Sequence, residues 1–99
     1  MTYCTQTEAA HLPEAVVAKV ETTYFRHEAS AAALRLAYAA VKRSRSAKAQ
    51  LALDAAITAF DSDLERFVRA RRIAERLMDQ AERAARVAHD LDQLDLFAA

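Results

Sequence analysis

Apolar residues recur at alternating steps of three and four over most of the chain, which is the spacing of one helix face. One run, which includes a histidine, follows the single proline and comprises Val17, Val20, Tyr24, His27, Ala31, Leu34, Tyr38 and Val41. The next comprises Leu53, Ile57, Phe60, Leu64 and Phe67, and continues less regularly through Arg71, Ala74, Met78, Ala81, Ala85 and Ala88. The pattern predicts two long helices, each with a small buried seam.

The segment between the runs, Lys42–Ser46, is the best candidate for a turn. It contains two serines, which disfavour helix interiors and cap helix starts. A helix that continues through it is the alternative, because the segment has neither Gly nor Pro. Ser62 and Glu65 have the spacing of a capping box. A third helix that starts at Ser62 is therefore an option, although the unbroken step across Phe60 and Leu64 favours one long helix.

The predicted fold is all-α: a long antiparallel helical hairpin of two or three helices, coiled-coil-like, with an extended C-terminal tail. We expect a flexible N-terminal segment over residues 1–12, the hairpin over residues 13–91 and the tail over residues 92–99. Thr5 with Glu8 has capping-box spacing, and Pro13 suits a helix start. Because the seams are small, we expect a homo-oligomer in which a second chain completes the core.

Composition narrows the class of function. The chain has 99 residues, no glycine and one proline, and 25 of its residues are alanine. Without glycine it has neither a Gly-rich phosphate loop nor the tight turns of small β-barrels. An Ala-rich core is too thin for an enzyme pocket. We therefore expect a non-enzymatic protein that needs no cofactor.

Charge is balanced overall but arranged in blocks. The formal net charge is zero, so there is no global attraction to nucleic acid. The predicted turn carries four basic residues, Lys42, Arg43, Arg45 and Lys48. Residues 66–86 hold seven arginines and three acids, whereas residues 87–99 hold three aspartates and no lysine or arginine. Such alternation suits helices that pair with helices, and a weak DNA contact through the basic cluster is a secondary expectation.

The remaining chemistry-bearing residues give weak signals. Cys4 is the only cysteine, which favours a reducing compartment. No secretory leader is evident, and no segment approaches the ~18 apolar residues of a membrane span, so we expect a cytoplasmic protein that is not bound to a membrane. Glu8 and His11 have a metal-ligand spacing, but it occurs once, so we expect no metal site.

The most specific motif lies near the end of the chain. It consists of Gln93, Leu94, Asp95, Leu96 and Phe97. This pentapeptide resembles the motif with which bacterial replication and repair proteins dock on the β sliding clamp of DNA polymerase III; every position matches the family pattern. The resemblance implies that Gln93 occupies a separate glutamine subsite, and that Leu96 and Phe97 fill the main hydrophobic pocket.

The setting of the motif agrees with a docking segment. Asp90, Asp92 and Asp95 lie where the helix dipole favours cations, so the helix is expected to fray and release the tail. The alternative is that Leu91, Leu94 and Phe97 form a last helical turn that closes the bundle. The leading hypothesis is an adaptor or inhibitor that binds the clamp. The second is an oligomeric regulatory protein that contacts nucleic acid through its basic turn.

Overall fold

The structure, a computed structural model, describes the backbone of residues 4–98 and the side chains of these residues except Thr7 and residues 95–98. Three helices occupy the described backbone: α1 (Gln6–His11), α2 (Glu14–Ser44) and α3 (Ala47–Ala98). Helices α2 and α3 pack along each other as the predicted antiparallel hairpin, and no strand occurs between residues 4 and 98. The all-α prediction is therefore confirmed.

Helix α1 differs from the expectation of a flexible segment. The side chain of Thr5 caps it by accepting a hydrogen bond from the Glu8 backbone N–H at 3.1 Å. Cys4 and Leu12, on either side of the helix, are buried in the same core as Val20. A capped turn with an apolar residue at each end thus docks on the hairpin, while residues 1–3 lie outside the described part of the chain.

The α2 seam is largely as predicted. Val20 is fully buried, and the positions seven apart that follow it, His27, Leu34 and Val41, are partly buried. Tyr38 is the exception, because its side chain is 48% exposed while Ala37 faces the partner helix. The prediction for Tyr38 was wrong because the seam position after Leu34 can lie three or four residues further on. Both Ala37 and Tyr38 are apolar, so the pattern does not distinguish the two steps.

The turn lies where it was predicted. Helix α2 ends at Ser44, and Arg45 adopts the left-handed conformation (φ 46°, ψ 29°) with its N–H bonded to the Val41 carbonyl at 2.9 Å. The Ser46 hydroxyl then accepts a hydrogen bond from the Ala49 N–H at 3.1 Å and caps α3. A left-handed residue followed by a serine cap reverses the chain without glycine or proline.

Helix α3 is one unbroken helix of 52 residues that passes through Ser62, as the continuous seam favoured. It also passes through residues 92–98, so the predicted extended tail is wrong for the described residues. Leu, Gln and Ala are good helix formers, and no Gly or Pro stops the helix. The Glu82–Arg86 pair, with a 2.7 Å N–O distance, adds support on the exposed part. The result is a rod of 80 × 21 × 19 Å.

Within the described part of the chain, neither long helix has the run of apolar sequence that crossing a membrane requires.

Candidate partner-binding surface

Helix α3 extends well past the end of its partner helix. Its last partly buried residue with a described side chain is Ala81, and every described side chain from Glu82 to Leu94 is exposed. The contacts of α3 with the rest of the hairpin end here because α2 begins only at Glu14. Helix α1 covers no more than one further turn of α3. His11 and Met78 help to line a shallow cavity of about 290 Å³ at that junction. We call residues 82–98 the overhang.

The clamp-like motif lies on the overhang. Gln93 is exposed and Leu94 is 63% exposed. The side chains of Asp95, Leu96 and Phe97 lie outside the described ones, while their backbone belongs to α3. Leu91 is also exposed, so it and Leu94 do not close the bundle. The structure therefore matches neither sequence-based alternative: the motif backbone is helical, yet its described side chains are unpacked.

An apolar stripe that sequence analysis missed runs along α3 into the overhang. Its largest exposed members are Ile73 (49%), Val87 (58%), Leu91 (56%) and Leu94 (63%). They belong to a set with alternating steps of four and three: Ile73, Leu77, Gln80, Ala84, Val87, Leu91 and Leu94. This set, which we call the outer stripe, faces away from the hairpin seam except at Leu77, which is partly buried against the core. The alternating step of three and four predicts this set as well. It was missed because residues 71–88 had already been assigned to the hairpin seam by the same step.

The four basic residues come together at the opposite end of the rod. Lys42, Arg43, Arg45 and Lys48 flank the turn, and all are exposed. None forms an ion pair with any residue whose side chain the structure describes. At 1.5 Å per residue, Lys48 lies about 70 Å along α3 from Gln93. The basic tip and the motif are thus two separate candidate sites.

Glu8 has a structural partner. Its carboxylate accepts a hydrogen bond from the Arg71 guanidinium at 2.7 Å, and this bond is the main reason that the pKa of Glu8 is lowered. Burial, followed by the carboxylates of Glu8 and Glu21, raises the pKa of the Cys4 thiol. No group of three or more potential metal ligands converges among the described residues.

His27 and its neighbours form a mixed polar and aromatic layer in the hairpin. The imidazole lies 5.0 Å from the Phe60 ring and is stacked on Phe67 at 6.0 Å. One turn further on, the Ser30 hydroxyl donates a hydrogen bond to the Asp63 carboxylate. The Nδ1 atom of His27 is buried and has no hydrogen-bond partner among the described residues. His27 is therefore a residue of the seam, as its position in the pattern indicated.

The fold defines the protein as an all-α helical hairpin whose second long helix extends beyond the end of the first. No protein-family model, curated protein or solved structure matches the chain.

Proposed function

We propose that this protein is a non-enzymatic adaptor or inhibitor that docks on the bacterial β sliding clamp through Gln93–Phe97. The observation that carries the proposal is the exposure of Gln93 and Leu94 on an overhang that no other helix covers. A linear motif must be accessible before a partner pocket binds it. The motif meets this condition at Gln93 and Leu94, its two residues whose side chains are described.

The helical backbone is a small obstacle to docking. Each terminal residue of a good helix gains only about 0.3 kcal/mol or less from helix propagation, so releasing five residues costs about 1–1.5 kcal/mol. Asp90 and Asp92 oppose the helix dipole there and lower that cost. Burying one large apolar side chain contributes about 1.5–3 kcal/mol. Two such anchors therefore outweigh the unwinding of the last turns.

Each motif residue has a distinct role in this proposal. Leu96 and Phe97 are the anchors that enter an apolar pocket. Gln93 both donates and accepts hydrogen bonds and fixes the register of the peptide. Asp95 lies at the rim and tunes the approach electrostatically. These roles follow the resemblance position by position.

The test is a binding titration of the full chain against purified clamp. The double variant Leu96→Ala/Phe97→Ala should bind about 100-fold more weakly or worse, since two anchors are lost. Leu36→Ala/Leu51→Ala is the matched control. It removes two exposed leucines, Leu36 (71%) and Leu51 (69%), that lie elsewhere on the rod, and it should bind like the wild type. Equal affinity of wild type and motif variant, or no binding by either, would overturn the proposal.

A second candidate function rests on the basic tip. Its four cations are exposed, and each lacks an ion-pair partner among the described side chains. They are placed to contact DNA phosphates in an oligomeric regulatory protein. Binding would then weaken with salt, with a logarithmic slope of about −4 at most. Neutralising the cluster with glutamine should abolish that binding and leave clamp affinity unchanged; salt-independent binding would exclude this role.

A further inference from the structure

The outer stripe has the sequence pattern of a second coiled-coil seam. With Ala98 as its last position, it spans nearly four heptads, which is the length at which such a repeat predicts helix pairing. The hairpin leaves most of it uncovered: of its members with described side chains, only Leu77 is partly buried against the hairpin core. Four of the largest exposed apolar side chains of the described molecule lie on it, namely Ile73, Val87, Leu91 and Leu94.

Charges beside the stripe indicate which partner fits it. Arg76, Arg83 and Asp90 each precede a stripe position by one residue, and all three are exposed. The flank is thus basic in its first half and acidic in its second. Arg83 and Asp90 form no ion pair with a described residue. A helix that runs in the opposite direction with the same charge order would place an acidic residue beside Arg83 and a basic residue beside Asp90.

We infer that the outer stripe binds a second copy of this chain, so that two α3 helices pair antiparallel about a twofold axis between Ala85 and Arg86. In this register Leu77 lies opposite Leu94 of the second copy, and Ala84 lies opposite Val87 of the second copy. Arg83 faces Asp90 of the second copy, and the symmetry forms this pair twice. This inference does not rest on clamp binding.

The parallel arrangement is disfavoured by charge. In an in-register parallel pair, the position of Asp90 faces that of Asp95 in the second copy, which brings like charges together. The antiparallel pair replaces that repulsion with an Arg–Asp contact on each side. On the other edge of the stripe, Ala81 and Ala88 each follow a stripe position by one residue, and their small side chains allow the two helices to approach closely.

The N-terminal end of the stripe, at Ile73, lies beside an apolar groove on the hairpin. Ala15, Val16, Lys19, Ala70 and Ile73 line a shallow cavity of about 300 Å³ between the start of α2 and α3. In the proposed register, the last turn of the second copy's α3 runs alongside Ile73. The overhang of each copy thus rests on the hairpin of the other, which extends the interface beyond two isolated helices.

Sedimentation equilibrium of the full chain tests the association. The wild type should be a dimer, and Val87→Lys/Leu91→Lys should be a monomer of unchanged hairpin helicity by circular dichroism. Leu36→Lys/Leu51→Lys, which charges exposed leucines off the stripe, should remain a dimer. A monomeric wild type, or a dimer that survives the stripe variant, would overturn the inference.

A charge exchange tests the direction of pairing. Arg83→Glu and Asp90→Arg should each raise the dimer dissociation constant about tenfold or more, and the double variant should restore it. A spin label on Arg72→Cys in a Cys4→Ala background should report about 40 Å between copies, since Arg72 lies far from the axis. A separation of about 10 Å would show parallel pairing and refute the proposed arrangement.

Discussion

Glu8 and Arg71 are 63 positions apart in sequence, and their side chains meet at 2.7 Å where α1 docks on α3. The two side chains are only 20% and 24% exposed, so water screens the contact less than a surface ion pair. The pair is the single described ion pair between α1 and the hairpin. It fixes the docking of the short helix, and with it the burial of Cys4, which precedes the helix in the chain.

The docking of α1 should therefore depend on pH. The pKa of folded Glu8 lies below its unfolded value, so the pair stabilises the protein above pH ~4.5, and the contribution disappears as pH falls through the folded pKa. Glu8→Gln should lower the free energy of unfolding by about 1–2 kcal/mol at pH 7. The difference from wild type in urea titrations should shrink as the pH falls below ~4.5 and through the folded pKa of Glu8. A difference that persists in acid would mean that Glu8 acts through packing instead.

Cys4 reports the same docking through its reactivity. Arg71→Gln removes a cation that lowers the pKa of the Cys4 thiol, so electrostatics alone would slow alkylation. Release of α1 would expose the buried sulfur and accelerate it. We expect the rate with iodoacetamide to rise in Arg71→Gln. Arg69→Gln, which breaks only the exposed pair with Glu65, should leave the rate unchanged. A slower reaction in Arg71→Gln would show that α1 stays docked.

The turn offers two substitutions with opposite effects. Ser46→Ala removes the α3 cap and should cost about 1 kcal/mol. Arg45→Gly relieves a left-handed backbone and should stabilise the chain by about 0.5–1 kcal/mol, net of the added freedom of the unfolded glycine. Thermal unfolding measures both. Destabilisation by Arg45→Gly would show that the arginine side chain contributes more than its backbone strain costs.

His27 is expected to be a weak point of the hairpin. Its buried Nδ1 has no hydrogen-bond partner among the described residues, and an unsatisfied buried polar atom costs about 1–3 kcal/mol. His27→Leu should keep the contacts with Phe60 and Phe67 and raise the thermal midpoint by about 4–8 °C for each kcal/mol gained. Leu34→Ala, at the next repeat of the same seam, should lower it. A lower midpoint for His27→Leu would imply that the imidazole contributes more by stacking than it loses by desolvation.

The sequence pattern predicted the parts of the fold that depend on interactions between residues close together in the chain. The hairpin, its turn and the continuity of α3 follow from periodicity and serine capping. The α2 seam was only partly predictable, because Thr23 is buried where Tyr24 looked the better core residue. Its hydroxyl donates to the Lys19 carbonyl at 2.7 Å, which satisfies the polar atom inside the seam.

The parts that depend on distant contacts were not predictable. The docking of α1 requires Arg71, and no local signal in residues 1–12 indicates that partner. The helical overhang depends on a small balance, since aspartates oppose the dipole while Leu, Gln and Ala favour helix. The motif itself was visible in sequence, and its side chains at Gln93 and Leu94 are exposed.

Clamp docking and self-association should compete, because Leu94 belongs both to the motif and to the outer stripe. If both proposals hold, pairing of the two α3 helices covers Leu94 and holds the last turns helical, whereas docking requires them free. The monomeric variant Val87→Lys/Leu91→Lys leaves Gln93–Phe97 intact, so it should bind the clamp more tightly than the wild type. The gain should grow with the total concentration of the chain, because mass action favours the dimer of the wild type. Surface plasmon resonance on immobilised clamp measures this, and equal affinities at all concentrations would show that the dimer leaves the motif accessible.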